Sequence, residues 1–349
     1  MNGASLKYLV IILLYGVTMC IAGTSAMKID LDEKGVPTVD YGFVSKQGDS
    51  SATKQDGWTY VGKQRNPLTV ATQGMTYYNQ YLQGNESSRD LFLNCSDWLL
   101  DNAAKRDNIL VWEYKYSWPT YNNTPPFLSG MSQAAAIKVL ATAYKLTGEE
   151  KYKDAAKKGL GAFFIEVKNG GITYKDQEGW WYEEYAQPGA KIEPRVLNGH
   201  MFALMDLNEY YNLTQDGQAK QLFNLGLSDL KARLEDYDAR NGSRYDRVGN
   251  LAVFKYHDIH VGQLHALYKN TGDSYFKLYR NRWAQKELVT LQKDLEKTNK
   301  AISKLELYQS DLTKKKADVE TMIAEEENRE LTQTPPRQNS LFEFISKLF

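Results

Sequence analysis

Ala134, Ile137, Ala141 and Tyr144 fall on one side of a 3.6-residue period, and Met201, Leu204, Met205 and Asn208 repeat the spacing. Each run predicts a helix with one buried face. The helices end on a shared phrase. Tyr144-Lys145-Leu146-Thr147-Gly148 precedes Glu149, and Tyr268-Lys269-Asn270-Thr271-Gly272 precedes Asp273. Tyr211-Asn212-Leu213-Thr214 and Tyr81-Leu82-Gln83-Gly84 are weaker copies. Glycine lets a helix end in a left-handed turn, and an acidic residue favours the start of the next. The phrases recur about every 60 residues, which suits stacked helical hairpins. The expected fold is mainly α: an (α/α) toroid or barrel of helical hairpins over residues 59–284, with short β-hairpins in its loops.

Three long connections interrupt the hairpins: Val111–Ser129, Gly170–Arg195 and Asp236–Tyr256. Long irregular segments inside a compact domain are often functional, so the site is expected where they gather. Residues 27–58 are polar and aperiodic and predict a loosely ordered lead-in. Over residues 285–330 the period changes. Leu288, Leu291, Leu295, Ile302, Leu305, Leu312, Val319 and Ile323 keep three–four spacing, with Thr298, Gln309 and Lys316 in the same seam. That predicts a coiled-coil helix and self-association as a homodimer. Pro335-Pro336 closes it, leaving a tail over 331–349.

Lys7, the apolar run Tyr8–Ala22 and the small residues Gly23 to Ala26 predict a signal peptide over residues 1–26 and export through the secretory pathway. The rival is an uncleaved membrane anchor. Cys95 is then the only cysteine of the mature chain, so no internal disulfide forms. Sequons at Asn85, Asn94, Asn122, Asn212 and Asn241 suit a eukaryotic secretory route. The 43 basic and 43 acidic side chains balance, which removes nucleic acid as a partner.

Within the connections, side-chain chemistry concentrates in three places. Trp180-Trp181-Tyr182-Glu183-Glu184-Tyr185 crowds rings and carboxylates, followed by Leu197-Asn198-Gly199-His200. Rings stack on sugars, and carboxyls and phenols move protons. Adjacent Glu183 and Glu184 point to opposite sides of an extended segment, so one of them faces the cleft. Ser243-Arg244-Tyr245-Asp246-Arg247 offers an arginine fork for a carboxylate, or simply a surface ion pair. Tyr256-His257-Asp258-Ile259-His260, with Gln263 and His265, invites a metal reading. His257 and His260 lack i, i+4 spacing and no second His–carboxylate motif answers them, so no metal is expected.

In this order on helical hairpins, the motifs resemble the catalytic C-terminal domain of the glucuronyl C5-epimerases. Asn66-Pro67, Gly130-Met131-Ser132-Gln133, Trp181 to Tyr185 with Leu197-Asn198-Gly199, Tyr245-Asp246, and Tyr256-His257 with His260 and Gln263 carry the resemblance, over roughly Tyr60 to Trp283. It implies an (α/α) barrel-like fold, no redox cofactor, an acidic polysaccharide such as heparosan or a heparan sulfate precursor as partner, and inversion of D-glucuronate to L-iduronate at carbon 5. It implies catalytic roles for Glu184, Tyr185, Tyr245 and Tyr256. Trp181, Glu183, Asn198, Arg247, His257, His260 and Gln133 are expected to bind substrate. A tyrosine base needs cations nearby, and Lys255, Arg247 and His257 are the candidates. The competing readings are a polysaccharide lyase, a glycoside hydrolase pairing Glu184 with Asp246 or Asp258, and a glycan-binding helical scaffold.

Overall fold

The structure is a computed structural model, and it describes residues 28–45 and 58–333. The signal-peptide segment and the C-terminal tail lie outside the described residues. Among the described residues no helix is long and apolar enough to cross a membrane.

Helical hairpins dominate. They are α1 (Pro67–Leu82) with α2 (Ser88–Asp101), α3 (Gly130–Thr147) with α4 (Glu150–Leu160), α5 (Leu197–Thr214) with α6 (Gly217–Arg233), and α7 (Phe254–Thr271) with α8 (Ser274–Gln333). The first helices lie side by side in chain order: α1 on α3, α3 on α5, α5 on α7. This is the (α/α) toroid-type arrangement that the repeats imply. Asn66, Ser129 and Asp216 cap α1, α3 and α6 through their side chains. Gly148 and Gly272 end α3 and α7 at φ +74° and +71°, each donating its N–H to the repeat tyrosine's carbonyl. The third copy uses Gln215 at φ +57°, without glycine's freedom.

Helix α3 departs from the single-face expectation. Ala134, Ala136, Ile137, Val139, Leu140 and Ala143 are all buried, because α1, α4 and α5 pack on different sides of it. Its small side chains permit the close approach.

Over residues 28–45 the lead-in expected to be loose is built into strands, while residues 46–57 lie outside the described residues. Strands β1 (Lys28–Leu31), β2 (Pro37–Asp40) and β3 (Phe43–Ser45) occupy residues 28–45. β1 pairs with β2 and β2 with β5 (Lys63–Gln64), while β3 pairs with β4 (Trp58–Tyr60). Asp32 Oδ1 accepts the N–H groups of Lys34 and Val36 at 3.0 and 2.9 Å and closes the first turn. Tyr77 on α1 donates to Gly35 O at 3.0 Å. Val36, Val39, Tyr41 and Val44 are buried. Four apolar side chains among many polar ones give no clear period, and their partners are distant in sequence.

The predicted loop hairpins form: β6 (Ala104–Arg106) with β7 (Ile109–Val111), β8 (Thr173–Lys175) with β9 (Trp180–Tyr182), and β10 (Asp238–Ala239) with β11 (Gly242–Ser243). One compact unit extends to Glu287 and a second begins at Leu288. Helix α8 runs through without a break at residue 285. Its first turns bury Phe276 and Trp283 in the domain, while Leu288, Leu291, Leu295, Ile302, Leu305 and Leu312 are exposed.

Candidate active site

Among the described residues the buried apolar side chains form two clusters. The larger is the helical core. The smaller gathers Tyr41, Tyr114, Tyr116, Trp118, Tyr121, Phe127, Tyr185, Tyr245 and Tyr256 from the strands and the long connections. The three loops do converge, and the N-terminal strands join them.

Glu184 lies within this aromatic group. It is 1% exposed, and the phenols of Tyr114, Tyr121, Tyr185 and Tyr245 around it are raised first by burial and further by its carboxylate when ionised. Gly199, in the first turn of α5, lets it in: a Cβ there would stand 2.2 Å from Glu184 Oε2 and 2.9 Å from its Cβ. Gly199→Ala should therefore push the carboxyl aside and cost at least about tenfold in turnover. The melting temperature should hold, since alanine favours a helix; activity and thermal unfolding measured together check this.

The adjacent carboxyls divide as their alternation requires. Glu183 accepts the backbone N–H groups of Tyr185 and Arg195 at 3.1 and 3.0 Å and ties the 183–195 loop shut. Arg195 is held there at φ +45°. Burial outweighs these donors and raises Glu183 to about 7. Glu184 has an oxygen, Oε2, with no hydrogen bond from the protein. Burial, then the neighbouring Glu183, raises it to about 8, opposed by a hydrogen bond from Tyr185. The phenols of Tyr121, Tyr185 and Tyr245 are driven well above their ordinary value, first by burial. They are neutral donors and proton sources rather than resting bases.

The rings form a chain. Tyr245 meets Tyr256 edge-on at 4.7 Å, Tyr121 meets Tyr185 at 4.7 Å, and Trp118 stacks on Tyr185 at 6.4 Å. Asp246, fully buried, organises one end. It accepts from Tyr121 Oη at 2.7 Å, from the N–H groups of Gly249 and Asn250 at 3.1 and 3.0 Å, and from Asn250 Nδ2 at 2.5 Å.

The structure places the remaining predicted residues differently. Trp181 is fully buried, stacked on His200 at 4.1 Å and on Tyr237 at 5.8 Å, so its ring packs into the core. Gln133 spends its amide on Trp112 N, Leu110 O and Gly159 O. Arg247 is exposed and lies 3.8 Å from Asp236, the surface pair weighed against the clamp. His257 is no cation: burial lowers it, and both ring nitrogens are engaged, by Ser243 at 2.8 Å and Trp283 O at 3.1 Å. Asn198 does reach the site through its neighbour Gly199, and its carbonyl accepts from Gln263 at 2.9 Å. His260 lies one turn beyond Tyr256 on α7.

Trp118, Tyr121, Tyr114, Tyr116 and Tyr41 were not anticipated. A signal for three of them exists. Tyr114, Tyr116 and Trp118 alternate with Lys115 and Ser117, a period of two that marks one buried face of an extended segment. Nothing local marks Tyr41 or Tyr121.

A helical-hairpin domain with a buried, proton-bearing carboxyl among neutral phenols is suited to proton transfer. Its sequence relatives agree. The family profile of the D-glucuronyl C5-epimerase C-terminus matches residues 106–285, and the chain belongs to that family. An uncharacterized protein of Methanocaldococcus jannaschii is 29% identical over 247 residues, covering 65% of this chain and 79% of that one. The D-glucuronyl C5-epimerase of Caenorhabditis elegans is 29% identical over 235 residues, covering 60% of this chain and 37% of the enzyme. This chain thus spans little more than a third of the worm enzyme. Among solved structures, a sugar epimerase from a ruminal bacterium superposes with a TM-score of 0.47 at 13% identity, over 65% of this chain and 59% of that one.

Proposed function

We propose that this protein is a carbohydrate epimerase that converts D-glucuronate units to L-iduronate units within an acidic, glycosaminoglycan-like polysaccharide. The observation that carries the reading is Glu184: a buried carboxyl raised to about 8, with an unengaged oxygen, surrounded by neutral tyrosines. Among Glu184, Tyr185 and Tyr245, it is the group closest to losing its proton near neutrality. It is therefore the base. It takes the proton from carbon 5, and the C–H electron pair moves into the adjoining carboxylate. The enediolate oxygens accept hydrogen bonds from the phenols of Tyr185 and Tyr245, which supply neutral donors where charge develops. The Tyr256 phenol returns a proton to carbon 5 from the opposite face. Exchange with water then restores both groups.

The test is incubation with heparosan in deuterated water, followed by NMR. Deuterium at carbon 5 with iduronate signals is expected. Unsaturated uronate would make the protein a lyase, new reducing ends a hydrolase, and an unchanged polymer a binding scaffold. Tyr256→Phe should abolish the formation of iduronate; inversion at the wild-type rate would remove Tyr256 from the mechanism. The free enzyme's kcat/KM should rise about tenfold per pH unit up to about 8, because the base must be ionised. A flat profile over pH 6–8 would exclude Glu184 as the base.

A further inference from the structure

Ser243, on β11, is hydrogen-bonded by two histidines. Its Oγ lies 2.8 Å from His257 Nδ1 and 2.8 Å from His260 Nδ1. The far end of the chain decides the direction of every proton in it. His257 Nε2 is 3.1 Å from the Trp283 carbonyl, which can only accept, so Nε2 carries the hydrogen. Burial holds His257 below its usual range and His260 at about 3, so both rings are neutral at pH 7. His257 Nδ1 is then an acceptor and takes the single hydroxyl proton of Ser243. Ser243 Oγ in turn accepts from His260 Nδ1–H. That leaves His260 Nε2 as a lone pair, fully buried and without a hydrogen bond from the protein.

We propose that Ser243 is a positioning residue that fixes His260 as its Nδ1–H tautomer, so that Nε2 accepts a hydrogen bond from a hydroxyl of the bound sugar. This deepens the epimerase reading and rests on it. Two further acceptors stand nearby without partners in the protein: Gln263 Oε1, one turn along α7, and Asn198 Oδ1 at the start of α5. The Gln263 amide cannot be turned over, because its Nε2 donates to Asn198 O at 2.9 Å. A ligand reaching these atoms must bring donors. Sugar hydroxyls do so and the uronate carboxylate does not. The sugar is thereby oriented, with its carboxylate toward the phenols and hydroxyls toward His260 and Gln263.

The chain has four histidines, which makes the test direct. In 15N-histidine-labelled protein, two-bond 1H–15N spectra should report His200 and His257 as Nε2–H tautomers. His200 accepts from Tyr182 N at Nδ1 and meets the Gly226 carbonyl at Nε2. His260 should be Nδ1–H, against the usual preference of a free ring. Ser243→Ala should shift His260 toward Nε2–H and raise KM for heparosan about tenfold, with kcat changed far less. Ser243→Thr should restore both. An Nε2–H His260 in the wild type, or an unchanged spectrum in Ser243→Ala, overturns the relay. A shifted tautomer with an unchanged KM overturns the acceptor role. A protein that keeps the predicted tautomers but leaves heparosan untouched overturns the epimerase reading alone.

A separate observation concerns α8. We infer that its residues 288–323 pair in parallel with a second copy of this chain. Eleven seam positions from Leu288 to Ile323 keep alternating spacings of three and four. Leu288, Leu295, Ile302, Leu305 and Leu312 are 46%, 62%, 47%, 67% and 48% exposed, an apolar stripe interrupted at Thr298, Gln309 and Lys316. In-register parallel pairing sets Lys315 of one copy against Glu320 of the other, with no like charges opposed at the flanking positions. Gln309 meets its own counterpart, an amide pair that fixes register at some cost in stability. Sedimentation equilibrium of the full chain at about 10 μM should give a dimer. Leu305→Asp with Leu312→Asp should give a monomer. Gln309→Cys should form a disulfide-linked dimer on mild oxidation. A monomeric wild type, or a dimer that does not cross-link at residue 309, overturns the inference.

Discussion

Glu184→Gln should lower the rate of deuterium incorporation at carbon 5 by about 10³-fold while leaving the protein folded. The amide keeps the shape of the carboxyl and cannot take a proton. Its second signature is independent of turnover. A carboxyl raised in the folded state to about 8, from about 4.5, binds its proton more tightly there than in the unfolded chain. Its contribution to stability is complete below about pH 4.5 and is lost as pH rises through 8. The glutamine variant should therefore gain on the wild type by roughly 4 kcal/mol between pH 4.5 and 8. Glu183, raised to about 7, remains in both proteins and leaves a shallower slope that ends near pH 7. His200 and His260, held near 3, act in the opposite sense. They cost stability as pH falls below about 6.5 and do so equally in both proteins. Urea unfolding at several pH values from 5 to 9 measures the difference. Parallel curves for the two proteins would mean that Glu184 is ionised throughout.

Asp246→Ala should cost about 3 kcal/mol or more, a fall in melting temperature of roughly 10 °C. The carboxylate is fully buried and accepts from Tyr121, from the Gly249 and Asn250 backbones and from the Asn250 amide. Alanine leaves these donors without an acceptor inside the protein. Activity should fall further than stability predicts, because Tyr121 would lose the bond that sets it against Tyr185. Asp246→Asn, which keeps acceptor capacity on one atom, should fall between the two. Thermal unfolding of the three proteins side by side checks the order. An alanine variant as stable as the wild type would show that the 246–250 turn holds itself together without the carboxylate.

The helices were legible because each is specified within its own neighbourhood. The Tyr…Thr-Gly-acidic phrase sets a helix end and a helix start within a few residues, and two full copies and two weaker ones fall at similar intervals. The three long connections were legible by elimination, as stretches with neither helical period nor caps. The N-terminal strands were not. Val39 and Tyr41 acquire their meaning from Tyr116, Trp118 and Asn66, and those partners lie 25 or more residues away.

The candidate site divides the same way. Glu184, Tyr185, Tyr245 and Tyr256 were named from motif resemblance, and the structure gathers them. Trp181, Gln133, Arg247 and His257 carry suitable chemistry but point elsewhere, into a ring stack, a backbone bridge, the solvent and a carbonyl. Side-chain type is local information and orientation is not. By itself, the sequence determined the helical hairpins, the loops that carry the chemistry and the coil period, since each is written in spacing along the chain. Only the tertiary structure decided how the two adjacent glutamates differ, because Glu183 is consumed by backbone donors while Glu184 is left against Gly199. It also decided that the surrounding tyrosines are neutral, because burial, which no single segment encodes, sets the cost of charge.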